Sequence, residues 1–93
     1  MRLIVVGTEH YGEYFGRKRR LSTVTLVREP NNRYDPNAVA VFVRSRRVGY
    51  ISASYAAVIA PAVDYWGGWV EVPVDQSGAY PHVEVPDDWV RRR

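Results

Sequence analysis

Short segments in which apolar and polar residues alternate occur along most of the chain. Such alternation over about four to eight residues, with many β-branched side chains, is typical of strands that bury one face. The pattern predicts five or six short strands, at Arg2–Val6, Leu21–Arg28, Ala38–Arg44, Arg47–Ile51, Trp69–Val74 and His82–Val85.

One segment repeats its apolar residues at helical spacing instead. It predicts a helix over about Ala53–Tyr65, with Ser52 as the N-cap residue. Pro61 falls inside this segment, so we expect the helix to break there or to restart with the proline in a first turn. Gly67 and Gly68 mark its end.

Other single residues carry structural predictions. Ser45–Arg46 predicts a tight hairpin turn, and Pro73 predicts that the fifth strand lies at an edge or ends there. Gly49 predicts the close approach of another backbone. The three tryptophans are expected to lie in the core: Trp66, Trp69 and Trp89.

These elements predict a mostly β fold with one or two helices, arranged as a small and partly open barrel. A two-layer α+β sheet is the alternative. The length of 93 residues is enough for one hydrophobic core. We expect a single domain over residues 1–86 and a polar, basic tail over residues 87–93.

The net charge of +3 conceals an uneven distribution along the chain. Residues 1–47 hold ten Arg or Lys and four acids, whereas residues 48–90 hold six acids and no Arg or Lys. Twelve of the thirteen cations are Arg, whose fork-shaped head group pairs with phosphates and stacks on bases. This separation predicts one basic face and a phosphate-bearing partner.

The absence of cysteine excludes disulfides, thiolate nucleophiles and cysteine-based metal sites. We expect no metal and no cofactor. No apolar run approaches the ~20 residues of a membrane helix, and the apolar run at Leu3–Val6 is too short for a signal peptide. The expected location is therefore the cytoplasm, without membrane association.

The most informative segment runs from residue 29 to 37 and reads Glu-Pro-Asn-Asn-Arg-Tyr-Asp-Pro-Asn. Its nine residues include two carboxylates, three carboxamides, one phenol and one guanidinium, and its two prolines restrict the loop before any ligand binds. We expect Arg28 and Glu29 to form an ion pair that braces this loop, and Asn37 to anchor it to the next strand.

This segment resembles the HIRAN domain, a family found in HLTF-type fork-remodelling ATPases and in short bacterial and phage proteins. Three parts of the sequence carry the resemblance: Val6-Gly7, the string from Leu26 to Val41 that contains Arg-Glu-Pro-x-Asn-x-Tyr-Asp-x-Asn-Ala, and Val48-Gly-Tyr-Ile51. The resemblance covers about residues 4–75. It suggests a bacterial or phage origin.

The resemblance implies an OB-like barrel and a non-catalytic module that binds single-stranded DNA at its 3′-hydroxyl end, in DNA repair or at replication forks. Asp35 would accept a hydrogen bond from the terminal hydroxyl, and Tyr34 would stack on a terminal base. A second tyrosine is expected from the loop after the first strand, either Tyr11 or Tyr14. Asn32 and loop amides would hold the last phosphate.

The remaining DNA backbone would be followed by cations. A lysine that the family carries just after the Val-Gly-x-Ile strand is absent here, where Ser52 to Ser54 stand, so its phosphate contact is either lost or supplied by Arg46 or Arg47. The full set of expected DNA-contacting cations is Arg17, Arg19, Arg20, Arg46 and Arg47. A helicase or nuclease acting in trans is the expected protein partner.

Two other functions remain open from the sequence. The first is a protein-interaction module that keeps the fold without binding DNA, with the acidic half and any exposed tryptophans as the partner surface. The second is a metal-dependent nuclease that uses Glu29, Asp35 and Glu13.

Overall fold

The computed structural model describes residues 1–10 and 21–90. Six strands and one α-helix follow one another along the chain, together with two 3₁₀ turns at Thr8–His10 and Asp87–Trp89. The elements are β1 (Arg2–Val6), β2 (Thr23–Arg28), β3 (Val39–Val43), β4 (Arg46–Ile51), α1 (Ala53–Tyr65), β5 (Trp69–Asp75) and β6 (His82–Glu84). The mostly β prediction with one helix is confirmed.

The strands form a closed antiparallel barrel in the order β1-β4-β3-β2-β5-β6, which closes because β6 pairs with β1. The barrel is thus closed rather than partly open. Its seams are unequal, since β5 meets β6 only at Val74 and Asp75, whereas β5 pairs with β2 over five residues.

The core lies inside the barrel and beneath α1. Alternate residues of each strand point inward, as the two-residue period of a strand requires. Leu3, Leu26, Val41 and Val83 are fully buried in this way, and Ile59 of α1 is buried in the same core cluster.

The α1 helix continues through Pro61, so the predicted break is wrong. Proline cannot donate to the carbonyl of Ala57, but Ala57 and Pro61 both lie on the exposed face, where water can satisfy that carbonyl. The buried face, with Ile59 and Val63, keeps the helix docked. Ser52 is the N-cap residue, but its side chain makes no capping hydrogen bond.

The hairpin between β3 and β4 turns at Arg44 and Ser45, one residue earlier than predicted. Arg44 has a φ of 58° in the left-handed region. That conformation is usually taken by glycine or asparagine, so the sequence carried no signal for it.

Pro73 lies inside β5, where residues 69–73 pair with β2 alone. On the side facing away from β2 this stretch has no partner strand among the described residues. The prediction of an edge position for Pro73 is therefore confirmed locally, within a closed barrel.

Two of the three tryptophans are not in the core. Trp66, just after α1, is 58% exposed, and Trp69, at the start of β5, is 64% exposed. Trp89 and Val90 do pack against the core, from the segment that was predicted to be a polar tail. In the part of the chain that the structure describes, no helix has the length and hydropathy to span a bilayer.

Candidate functional site

Asn32 organises the loop between β2 and β3 from within. Its side-chain Oδ1 accepts hydrogen bonds from the main-chain amides of Tyr34 and Asp35, at 2.9 and 3.0 Å. Its Nδ2 donates to Oε1 of Glu29 at 3.0 Å. The Asn32 carboxamide thereby supplies hydrogen bonds in place of the main-chain ladder that a proline-containing loop cannot form.

Arg28 ties the loop to the body of the protein, but not through Glu29 as predicted. Its Nη1 donates to the carbonyls of Pro36 and Ala38, at 3.1 and 3.0 Å, and its Nε donates to Oδ1 of Asp64 on α1 at 3.0 Å. The Arg28 side chain is only 9% exposed. The guanidinium therefore joins the loop to the last turns of the helix.

Glu29 pairs instead with Arg47 of β4, at 2.9 Å, and accepts a hydrogen bond from the hydroxyl of Tyr50, also at 2.9 Å. Arg47 donates to the same hydroxyl. Partial burial raises the pKa of the Glu29 carboxyl, but the hydrogen bonds from Asn32, Tyr50 and Arg47 outweigh burial and hold this pKa below its ordinary value. Glu29 is thus a charged clamp between the loop and β4.

The loop and β4 enclose a cleft of about 620 Å³. Its floor includes Val6 and Tyr50, which are register partners in the β1–β4 pair. Gly49 makes this close pairing possible, because a Cβ there would stand 2.8 Å from Cγ1 of Val5 and from the carbonyl oxygen of Val6. Among the described residues the lining is Val6, Glu29, Asn32, Arg33, Tyr34, Asp35, Ala38, Arg47, Tyr50, Ile51 and Ala53.

Two groups at the cleft remain open to a ligand. The Tyr34 side chain is 87% exposed, and the Arg33 guanidinium lies 5.8 Å from its ring centroid. Asp35 uses Oδ1 to accept the amide of Asn37 at 2.9 Å. Within the described residues Oδ2 accepts no hydrogen bond, so this oxygen can bind a donor from outside.

The structure brings together four of the ten predicted site residues, since Asn32, Tyr34, Asp35 and Arg47 all line the cleft. Arg46 is exposed at the start of β4 and does not line it. The other five predictions lie outside the described residues: Tyr11, Tyr14, Arg17, Arg19 and Arg20.

Seven described lining residues were not among the predicted DNA contacts: Val6, Glu29, Arg33, Ala38, Tyr50, Ile51 and Ala53. Tyr50 belongs to the Val-Gly-Tyr-Ile string, and its position follows once β1 and β4 are known to pair at Val6 and Tyr50. Arg33 is the one cation within residues 29–37, and this position is the sequence feature that could have identified it as a lining residue.

The charges that line the cleft balance among the described residues, which supply two acids, Glu29 and Asp35, and two cations, Arg33 and Arg47. Among the described residues no group of three or more His, Cys, Asp or Glu side chains is arranged to hold a metal ion. The cleft therefore offers hydrogen bonding and stacking in a nearly neutral setting.

Comparison with known proteins finds a family model and a solved structure that are similar to this chain. The sequence model of the HIRAN domain family matches residues 2–76. The crystal structure of the HIRAN domain of human HLTF superimposes with a TM-score of 0.68 at 29% sequence identity, over 89% of this chain and 71% of that one.

A curated relative shares part of the sequence. It is an Arabidopsis thaliana SWI/SNF-related matrix-associated actin-dependent regulator of chromatin, subfamily A member 3-like 1. The two are 46% identical over 61 residues, which are 64% of this chain and 7% of that protein. The chain thus corresponds to a small part of that relative's length.

Proposed function

This chain belongs to the HIRAN domain family, and on that premise we propose that it is a non-catalytic module that binds single-stranded DNA at its 3′-hydroxyl end. The cleft beside the loop is the proposed binding site. One observation carries the proposal: Asp35 and Tyr34 present an open carboxylate oxygen and an exposed aromatic ring side by side, on a loop whose other polar groups are largely satisfied internally.

The open Asp35 oxygen supports selection by chemical state. A carboxylate accepts a hydrogen bond from a terminal hydroxyl, whereas it repels a terminal phosphate. A hydrogen bond to a charged group contributes about 1.5–3 kcal/mol, enough to distinguish the two ends by roughly tenfold or more.

Tyr34 supports binding without base preference. Stacking on an exposed aromatic ring contributes about 1–3 kcal/mol per base, and every base has a π-face. Arg33 beside the ring adds a cation near the same base or its phosphate.

The phosphates are expected to contact cations rather than loop amides. The amides of Tyr34 and Asp35 already donate to Asn32, so in the proposed complex Asn32 shapes the site instead of holding the last phosphate through those amides. Arg47 already forms an ion pair with Glu29. Arg33, Arg46 and the basic run at residues 17–20 therefore carry the electrostatic part of the proposal.

We place the module in repair or at replication forks, where it delivers a DNA end to a helicase or nuclease acting in trans. The nuclease alternative lacks support because Glu29 is held by Arg47 and Tyr50. The protein-interaction alternative keeps one supporting observation, the exposed tryptophans beyond α1.

Fluorescence anisotropy tests the proposal, with a 5′-labelled oligonucleotide that ends in either a 3′-hydroxyl or a 3′-phosphate. We expect tighter binding of the hydroxyl form, by about tenfold, and loss of this preference in Asp35→Asn. Asp88→Asn removes an exposed carboxylate away from the cleft and should keep the preference. Equal affinity for both ends in the unmodified protein would refute end recognition, and binding of neither would favour the protein-interaction module.

A further inference from the structure

A groove lies at the opposite end of α1 from the cleft, between β5 on one side and β6 with the second 3₁₀ turn on the other. It encloses about 290 Å³, and Trp66, Pro73, Pro86 and Trp89 are among its lining residues. We refer to it as the aromatic groove. The groove and the cleft have no described lining residue in common.

Large aromatic side chains are exposed around this groove. Tyr65 is 83% exposed, next to Trp66 and close in sequence to Trp69. The Tyr65 and Trp66 rings meet edge to face, with centroids 5.7 Å apart. Contiguous exposed aromatic side chains are typical of protein-interaction surfaces.

One wall of the groove is the part of β5 that lacks a second partner strand. The amide of Val74 donates to Ser22, and the carbonyl of Gly68 accepts from Arg28, so even-numbered residues face the β2 side. Because the hydrogen-bonding direction alternates along an antiparallel strand, the main-chain groups of Trp69 and Glu71 face the other side. Pro73, which has no N–H, adds only a carbonyl there.

The described lining of the groove is acidic. Glu71 and Glu84 line it, and no Lys or Arg is among its described lining residues. Glu71 accepts a hydrogen bond from the Thr23 hydroxyl, while Glu84 forms an ion pair with the Met1 amino group. A nucleic acid would be repelled here, whereas a cationic side chain would be attracted.

We propose that the aromatic groove binds an extended, Arg- or Lys-bearing segment of a partner protein. The segment adds to the open side of β5 as a short strand and shares the main-chain groups of Trp69 and Glu71. Its cationic side chains contact Glu71 and Glu84 and stack on Trp66. This proposal is independent of DNA binding at the cleft, because the described lining residues of the two sites are different.

Intrinsic tryptophan fluorescence tests the proposal without a label, because all three tryptophans lie in or beside this groove and none lines the cleft. The probe is a capped hexapeptide of alternating arginine and leucine. Its counterparts are the same peptide with glutamate for arginine, and one with alternate main-chain nitrogens methylated. We expect a saturable change in emission with the arginine peptide, and at least about tenfold weaker binding of both counterparts.

Variants then separate the contributions of the acidic side chains and of Trp66 to peptide affinity. The double variant Glu71→Gln/Glu84→Gln should bind the arginine peptide about fivefold or more weakly, and Trp66→Ala should weaken it further. The control Glu9→Gln removes a carboxylate elsewhere and should leave peptide affinity unchanged. Circular dichroism checks that each variant folds.

Five results would overturn the proposal. Equal affinity for the arginine and glutamate peptides would contradict the proposal that the partner is basic. Undiminished binding of the methylated peptide would contradict strand addition to β5. An emission change caused by an oligonucleotide, or by raising the protein concentration alone, would assign the groove to nucleic acid or to a second copy. No saturable change would mean that Pro73 and Glu71 only protect the strand from aggregation.

Discussion

The two ends of α1 carry surfaces of opposite character. At the cleft, Glu29 is paired with Arg47, and the main-chain amides of Tyr34 and Asp35 already donate to Asn32. At the aromatic groove, main-chain groups of β5 lack a partner strand, and the carboxylate of Glu71 has no cation beside it among the described lining residues.

Under the two proposals, one small barrel presents two kinds of recognition. The cleft is fixed before a ligand arrives, so little ordering free energy is lost when a ligand of defined chemistry binds. The groove offers an unpaired strand edge and flat apolar walls, which suit an extended chain of variable sequence. The four predictions below test whether the two regions are separable, in order of decreasing expected effect.

Arg28→Ala should produce the largest effect, because Arg28 links the cleft loop to the helix. The change removes the side-chain donor from the carbonyl of Pro36 and from that of Ala38, which still accepts from the Glu29 amide, and separates Asp64 from its cation. We expect the free energy of unfolding to fall by about 2–4 kcal/mol, measured by urea denaturation. The loop should also lose its shape, so DNA affinity at the cleft should fall more than peptide affinity at the groove.

Arg2→Ala is the matched control for this prediction. Arg2 also pairs with an acid, Asp75, at 3.0 Å, but both side chains are about half exposed. Exposed ion pairs contribute about 0–1 kcal/mol, so the loss should stay within that range. Equal losses in the two variants would contradict the bracing role of Arg28.

Gly49→Ala should destabilise the seam beneath the cleft. The added Cβ would meet the Val6 carbonyl oxygen at 2.8 Å, and backbone cannot move aside cheaply. We expect a loss of about 1–3 kcal/mol in the free energy of unfolding, measured by thermal and urea denaturation. Gly78→Ala, where the nearest atom is 3.8 Å away, should change it by less than about 0.5 kcal/mol.

Tyr34→Ala should weaken DNA binding by about 1–2 kcal/mol, through the loss of one stacked base. Stability should be unchanged because the side chain is almost fully exposed. Tyr65→Ala removes an equally exposed ring at the groove end and should leave the anisotropy titration unaltered. If both variants lost DNA affinity to the same extent, the two regions would not be separate sites.

The smallest expected effect is on the pH dependence of the free energy of unfolding. The pKa of Glu29 is lower in the folded protein than its ordinary value of 4.5. Its contribution to stability is therefore complete above that value and is lost as the pH falls through the lowered pKa. Glu29→Gln should give a flatter dependence of unfolding free energy on pH below about 4.5 than the unmodified protein shows. An unchanged dependence would mean that the contacts with Arg47 and Tyr50 are weak in solution.

Local patterns predicted the elements well because the alternation of apolar residues is itself the cause of strand burial. The bounds of β1 and α1 agree with the structure to the residue. The loop chemistry of Asn32, Tyr34 and Asp35 was also readable, since all three lie in one short string.

Partners distant in sequence could not be predicted in this way. Arg28 reaches Asp64 across 36 positions and Glu29 meets Arg47 across 18, so neither pairing follows from neighbouring residues. The continuation of α1 through Pro61 depends on which helical face meets water, which only the packed fold decides. The aromatic groove likewise arises from the short pairing of β5 with β6.

The closure of the barrel has a consequence for the order of folding. Arg2 of β1 pairs with Glu84 of β6, so this seam encloses nearly the whole chain, whereas β3 and β4 are joined by a two-residue turn. Distant contacts lose more chain entropy before they form, which slows their formation. We therefore expect the β3–β4 hairpin to belong to the folding nucleus and the β1–β6 seam to form last. Substitutions in β6 should then accelerate unfolding and leave the folding rate nearly unchanged.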